Sequence, residues 1–124
     1  MALSRDVLLS AARDYGTPLF VYDADLMVQR YRELHAFIAW PRLCVHYAMK
    51  ANYNAALLRI LRDAGAALDT VSPGEVILAQ RLGFPAERLL YTANNMTDAE
   101  VREVQATGVL MNIDSLSRLE RFGR

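Results

Sequence analysis

The chain has very little cysteine: among 124 residues Cys44 stands alone. No intramolecular disulfide can form, and a thiolate metal cluster has no ligand set. A charge excess is also lacking, since 14 basic residues balance 14 acidic ones. That excludes a broad basic field for nucleic acid and an acidic tail. No apolar run approaches the roughly 18 residues of a membrane span. The opening "MALSRDVLLSAARDYG" carries Arg5, Asp6, Arg13 and Asp14 and lacks the basic start and long apolar core of a secretory leader. It reads as a short amphipathic helix, and a reducing, cytoplasmic setting is expected. No low-complexity linker occurs, and no G-x-G-x-x-G follows the first strand, so a dinucleotide site has no support. What is present is a foldable composition, 53% hydrophobic and 23% charged, of single-domain length. Function must then reside in a local site.

Glycines reveal a period. "LRDAG" ends at Gly65, "QRLG" at Gly83 and "VQATG" at Gly108, each closing a segment with helical spacing. A glycine just past a helix supplies a left-handed cap. Short apolar runs follow, "AALDTVS", "RLLYTAN" and "VLMNID", and the earlier "LCVHYAMK" fits the series. Such runs read as parallel strands covered on both sides. Helix starts agree: Ser72-Pro73-Gly74-Glu75 and Thr97-Asp98-Ala99-Glu100 have capping-box form, and Asn54 can cap the helix carrying Leu57, Leu58, Leu61 and Ala64. Strands are expected to begin near 43, 67, 88 and 109. The alternation predicts an α/β fold with parallel strands. Ahead of it, "TPLFVYD" reads as a separate strand. The helix "DADLMVQRYRELHAFIA" follows, with Leu26, Tyr31, Leu34 and Phe37 or Ile38 on one side. Either an open doubly wound sheet or part of a (β/α)8 barrel fits. A complete barrel needs eight units and about 250 residues, and only four units fit here.

One stretch stands out, "HYAMKANYN", a buried-looking strand that ends on a lysine. By strand alternation Lys50, Ala48, His46 and Cys44 share one face, and Met49, Tyr47 and Val45 the other. In a barrel the first set points inward, with small Ala48 leaving room beside Lys50 at the C-terminal end of the strand. A lysine in a partly apolar pocket becomes a better nucleophile toward an aldehyde, because burial disfavours its charged form. The plainer alternative is a lysine solvated where the strand meets water.

The sequence around Lys50 resembles a known family. "YAMKANYN" is similar to the segment holding the cofactor lysine in the fold-type III pyridoxal-phosphate decarboxylases. "GAALDTVSPGE" resembles that family's G-x-x-x-D-x-x-S-x-G-E stretch. "YTANNMTDAE" and "MNIDSLSRLE" resemble its third and fourth strands with their helix starts. The likeness runs from "YGTPLFVYD" onward. Within the family, "KAN", "NNMTD" and "NIDSLSRLE" lean toward the diaminopimelate decarboxylase branch over the ornithine and arginine enzymes.

The resemblance implies a barrel in its first four βα units over residues 41–124. Residues 1–40 would form a helix, strand and helix leading into it, the strand joining a β domain. It implies pyridoxal 5′-phosphate as cofactor, an amino-acid substrate and PLP-dependent decarboxylation of meso-2,6-diaminopimelate to L-lysine. Lys50 would hold the cofactor through its amine and return as acid or base. Asp69 would sit beside it and balance its charge, against the simpler reading of a strand-end Asp bonding local amides. Ser72 and Glu75 match the second motif, although a capping box explains both; the likeness also puts Glu75 near the cofactor. Ala48 would form a cofactor wall. Thr92, expected to contact the cofactor, and Asn94 and Asn95 are pocket candidates at the same rim, and Asn52 or Asn54 can touch the site. His46, about 13 Å below Lys50 at about 3.3 Å per residue, reads as a hydrogen-bonded core histidine. His35 reads as a surface residue, Cys44 as inert, and Tyr47, Leu68, Val71, Tyr91 and Met111 as core.

The family's ring-stacking histidine, phosphate-binding glycine loops, pyridine-pairing glutamate and substrate-side cysteine and tyrosine come later in the chain and match nothing here. The expectation is therefore an N-terminal part of a longer enzyme, inactive alone and homodimeric at full length. A related ornithine- or arginine-type decarboxylase, a non-catalytic binding or regulatory relative, and an unrelated doubly wound domain with a solvated Lys50 are the competing readings.

Overall fold

Four short strands, β1 His46–Ala48, β2 Ala67–Thr70, β3 Leu89–Tyr91 and β4 Leu110–Met111, lie side by side in chain order. All three pairings are parallel. Each strand is followed by a helix: α3 Ala55–Asp63, α4 Pro73–Arg81, α5 Asp98–Gln105 and α6 Leu116–Phe122. Two helices precede the sheet, α1 Arg5–Tyr15 and α2 Ala24–Phe37. This computed structural model describes residues 3–122; the first two residues of the opening segment and the last two of "DSLSRLERFGR" lie outside the described residues.

The order β1-β2-β3-β4, without reversal, selects the barrel winding over the doubly wound sheet, whose strand order turns back at a switch point. Register assigns the faces. Tyr47 pairs with Leu68 and Leu68 with Leu89, while Thr70 pairs with Tyr91 and Tyr91 with Met111. All but Thr70 belong to or pack on one apolar core with Leu58, Val76, Ala79, Val101 and Val104 from the helices, and Thr70 is itself fully buried. The opposite row, Ala48, Asp69, Leu90 and Leu110, ends at a Leu110 that is 70% exposed. One face is thus covered by helices and the other is open, so the expectation of strands covered on both sides is not met among the described residues.

Local chemistry explains the punctuation. Gly65, Gly83 and Gly108 all have positive φ, which costs little without a Cβ, and each ends a helix. Asn54 caps α3 through the Ala56 amide, and Thr97 and Glu100 form a complete capping box on α5. At the other end of the sheet the Arg62 guanidinium donates to the Leu82 carbonyl and Arg88 to the Gly65 carbonyl, tying consecutive units together.

Two expectations need correction. The segment "TPLFVYD" forms no strand; it has no ladder partner among the described residues, and pairing rather than apolar composition makes a strand. β1 begins at His46, not near 43, because its register with β2 opens at the His46–Ala67 pair. It also ends at Ala48, and Met49–Ala51 form a 3₁₀ turn. Leu26, Tyr31 and Leu34 of the α2 stripe line one groove, Leu26 and Tyr31 half-buried, while Leu34 and Phe37 are exposed, as are Val7, Leu8 and Leu9 of α1.

Candidate functional site

Lys50 is the chain's one lysine; every other basic residue counted in its composition is arginine. It sits on the 3₁₀ turn directly after β1, at the C-terminal end of the sheet, with Met49 beneath it wholly buried in the core. Alternation ends at Ala48, so it no longer assigns Lys50 a face. Its side chain is exposed, and the burial that the sequence argument required is not supplied by the described residues. The place at the C-terminal end of the sheet is as expected; the enclosure is not.

The turn after Lys50 is well held. Asn52 donates its amide to the Tyr22 hydroxyl at 3.0 Å, and its side-chain oxygen accepts the Asn54 amide at 3.0 Å. Tyr47 donates its hydroxyl to the Asn52 carbonyl at 3.4 Å. Burial raises the Tyr47 phenol above its ordinary pKa, and the nearby Tyr22 acts in the same direction. Nothing in the sequence marked Tyr22 as part of this neighbourhood.

Register puts Ala48 beside Asp69 and Asp69 beside Leu90 on the open face. Asp69 does not bond local amides: its Oδ1 accepts the Thr92 hydroxyl at 2.5 Å. Among the described residues no ion pair joins it to Lys50. Ser72 caps α4 through the Glu75 amide at 3.2 Å. The returning arm of the expected capping box differs, since the Glu75 carboxylate accepts the Val71 amide at 2.7 Å rather than the amide of Ser72. That bond braces the turn linking β2 to α4. Behind the site Tyr91 is buried in the core, and its phenol is raised by burial first and by Glu100, Glu75 and Glu103 after that.

The remaining candidates divide. Asn54 is a helix cap. Asn94 and Asn95 are exposed, and Asn95 adopts a positive φ of 56°. His46 is only partly buried and has no hydrogen-bond partner among the described residues, so it is not the bonded core histidine expected. It lines a groove of about 780 Å³ with Leu26, Tyr31, Val45, Tyr47 and Ala48. His35 is exposed, as expected, and Cys44 lies exposed ahead of β1.

A primary amine, a carboxylate held by a hydroxyl and a small side chain thus gather at the C-terminal ends of β1, β2 and β3. The donor set suits a group with an aldehyde to bind and a charge to balance. The structure and the chain's relatives agree on its class. The profile of the pyridoxal-dependent decarboxylases, pyridoxal binding domain, matches residues 25–124, and the chain belongs to that family. The cofactor of that domain is pyridoxal phosphate. A diaminopimelate decarboxylase of Methanothermobacter thermautotrophicus is 44% identical over 113 residues, covering 90% of this chain and 26% of that protein. The lysine/ornithine decarboxylase of Vibrio vulnificus, solved with putrescine, is 32% identical with a TM-score of 0.85, covering 98% of this chain and 34% of that one. The diaminopimelate decarboxylase of M. jannaschii, solved with L-lysine, is 30% identical with a TM-score of 0.80, covering 90% and 27%. The chain spans about a quarter of the length of the curated relatives it matches. No helix among the described residues is long and apolar enough to cross a membrane.

Proposed function

We propose that this chain provides the cofactor lysine of a decarboxylase that converts meso-2,6-diaminopimelate to L-lysine and CO2. Residues 1–40 act as the lead-in and residues 41–124 as the first four βα units of its barrel. The observation that carries the reading is the placement of the sole lysine at the C-terminal end of β1, with Asp69 one strand over in register with Ala48.

Lys50 holds the cofactor through its ε-amine, and the exposed turn gives that amine access. Asp69 supplies a fixed negative charge next to the β1 rim. Ala48 offers a flat wall without a polar atom. Glu75 keeps the β2–α4 turn closed by holding the Val71 amide, and the Thr92 hydroxyl donates to Asp69. Bound pyridoxal phosphate supplies an electron sink for the pair left when CO2 departs. The Lys50 amine would also stand where it could move a proton.

Diaminopimelate is favoured by the 44% identity to the Methanothermobacter enzyme. A second reading, decarboxylation of ornithine, lysine or arginine, is favoured by the likeness to the Vibrio lysine/ornithine enzyme. A homodimer and a cytoplasmic setting follow from the family resemblance and belong to the same proposal.

The test uses the single lysine. The protein is mixed with pyridoxal phosphate, reduced with borohydride and mapped by mass spectrometry. One label on the Lys50 peptide, absent in Lys50→Ala, is expected. A label confined to the N-terminal amine, or retained in Lys50→Ala, overturns the reading. CO2 release from diaminopimelate against ornithine by the enzyme separates the two substrates.

A further inference from the structure

Thr92 stands just past β3. Its amide donates to the Thr70 carbonyl at 2.9 Å, so the ladder continues one residue beyond the strand and fixes its backbone. Its hydroxyl donates to Asp69 Oδ1 at 2.5 Å, a partly buried contact joining residues 23 positions apart. That length lies in the range of hydroxyl–carboxylate bonds strengthened by charge. Asp69 has Ala48 in register on its other side, a residue with no side-chain polar atom. Among the described residues Thr92 is the one hydrogen-bond partner of the Asp69 side chain. The χ2 torsion of aspartate is broad, so a carboxylate on an open face turns unless something holds it. Threonine suits the task, since its branched Cβ limits χ1 and presents the hydroxyl in few directions.

From these observations we infer that Thr92 is a positioning residue for Asp69, committing one carboxylate oxygen and leaving the other for the group held at Lys50. The inference rests on the reading of Lys50 as the cofactor lysine. It gives Thr92 a role through Asp69, distinct from the direct cofactor contact expected from the sequence.

Two readouts test it. The first needs no cofactor: the Asp69 side-chain carboxyl ¹³C resonance, assigned by its loss in Asp69→Ala. It should shift in Thr92→Val, which keeps the volume and removes the O–H, and return in Thr92→Ser. The second is pyridoxal phosphate affinity, titrated by the absorbance of the Lys50-bound form. Thr92→Val should weaken it about five- to tenfold, Thr92→Ser should restore it to within about twofold, and in an Asp69→Ala background Thr92→Val should change nothing further. An unmoved resonance, or an equal effect of Thr92→Val with and without Asp69, overturns the inference. A cofactor band that persists in Lys50→Ala overturns the underlying reading instead, and leaves the ¹³C result to decide the Thr92–Asp69 contact by itself.

Discussion

The side-chain amide of Asn52 donates to the hydroxyl of Tyr22 at 3.0 Å, joining the turn after the lysine to a segment 30 residues earlier. This bond connects residues 17–23, which lack a strand partner among the described residues, to the framework around Lys50. Asn52 also accepts the Asn54 amide, which in turn positions the cap of α3. Tyr22 is 48% exposed, so its bond competes with water and its net value is modest. Tyr22→Phe should cost about 0.5–1 kcal/mol in urea denaturation. Asn52→Ala, which also strands the Asn54 amide, should cost about 1–2 kcal/mol. The two losses should not add, because both remove the same contact. Full additivity would show that Tyr22 and Asn52 act separately.

The capping box on α5 predicts a pH dependence. The Glu100 carboxylate accepts the Thr97 amide at 2.7 Å and the Thr97 hydroxyl at 2.8 Å. These bonds, the amide foremost, hold its pKa below the ordinary glutamate value of 4.5, with Arg118 adding a little. A pKa lower in the folded state means that ionised Glu100 stabilises the fold above the unfolded value, and that this is lost as pH falls through the folded one. The stability gap between the parent and Glu100→Gln should therefore be constant near neutrality and close below about pH 4.5. Denaturation midpoints across that range check it, and a gap that stays open in acid counts against the box. Thr97→Ala should cost about 1 kcal/mol at neutral pH.

Much of this was readable in advance, and the misplaced strands have one cause. Gly65, Gly83 and Gly108 marked helix ends because a left-handed backbone selects glycine. Ser72, Thr97 and Asn54 marked helix starts because an orphan amide selects a short polar side chain. Those are local demands, written where they act. Strand pairing is not local. Residues 17–23 and 43–45 are as apolar as a strand, yet their state depends on what lies alongside. The contacts that hold the site, Thr92 to Asp69 and Asn52 to Tyr22, join residues 23 and 30 apart. A motif could name Asp69 and Thr92 separately as rim residues, but only the β2–β3 register makes them partners.

The two faces of the sheet give a final prediction. Leu68 and Leu110 are the same residue type in neighbouring parts of one sheet, yet Leu68 is fully buried against the helices and Leu110 is 70% exposed on the open row. Leu68→Ala removes packed methyl groups and leaves a cavity that the surrounding core cannot fill, so it should cost about 3 kcal/mol. Leu110→Ala removes atoms already in contact with water and should stay within about 0.5 kcal/mol. Parallel urea denaturation of the two variants decides the point. A loss above about 1 kcal/mol at Leu110 would mean that the row carrying Ala48, Asp69 and Leu90 is covered in solution. The approach to Asp69 across that face would then be closed to a cofactor arriving from water.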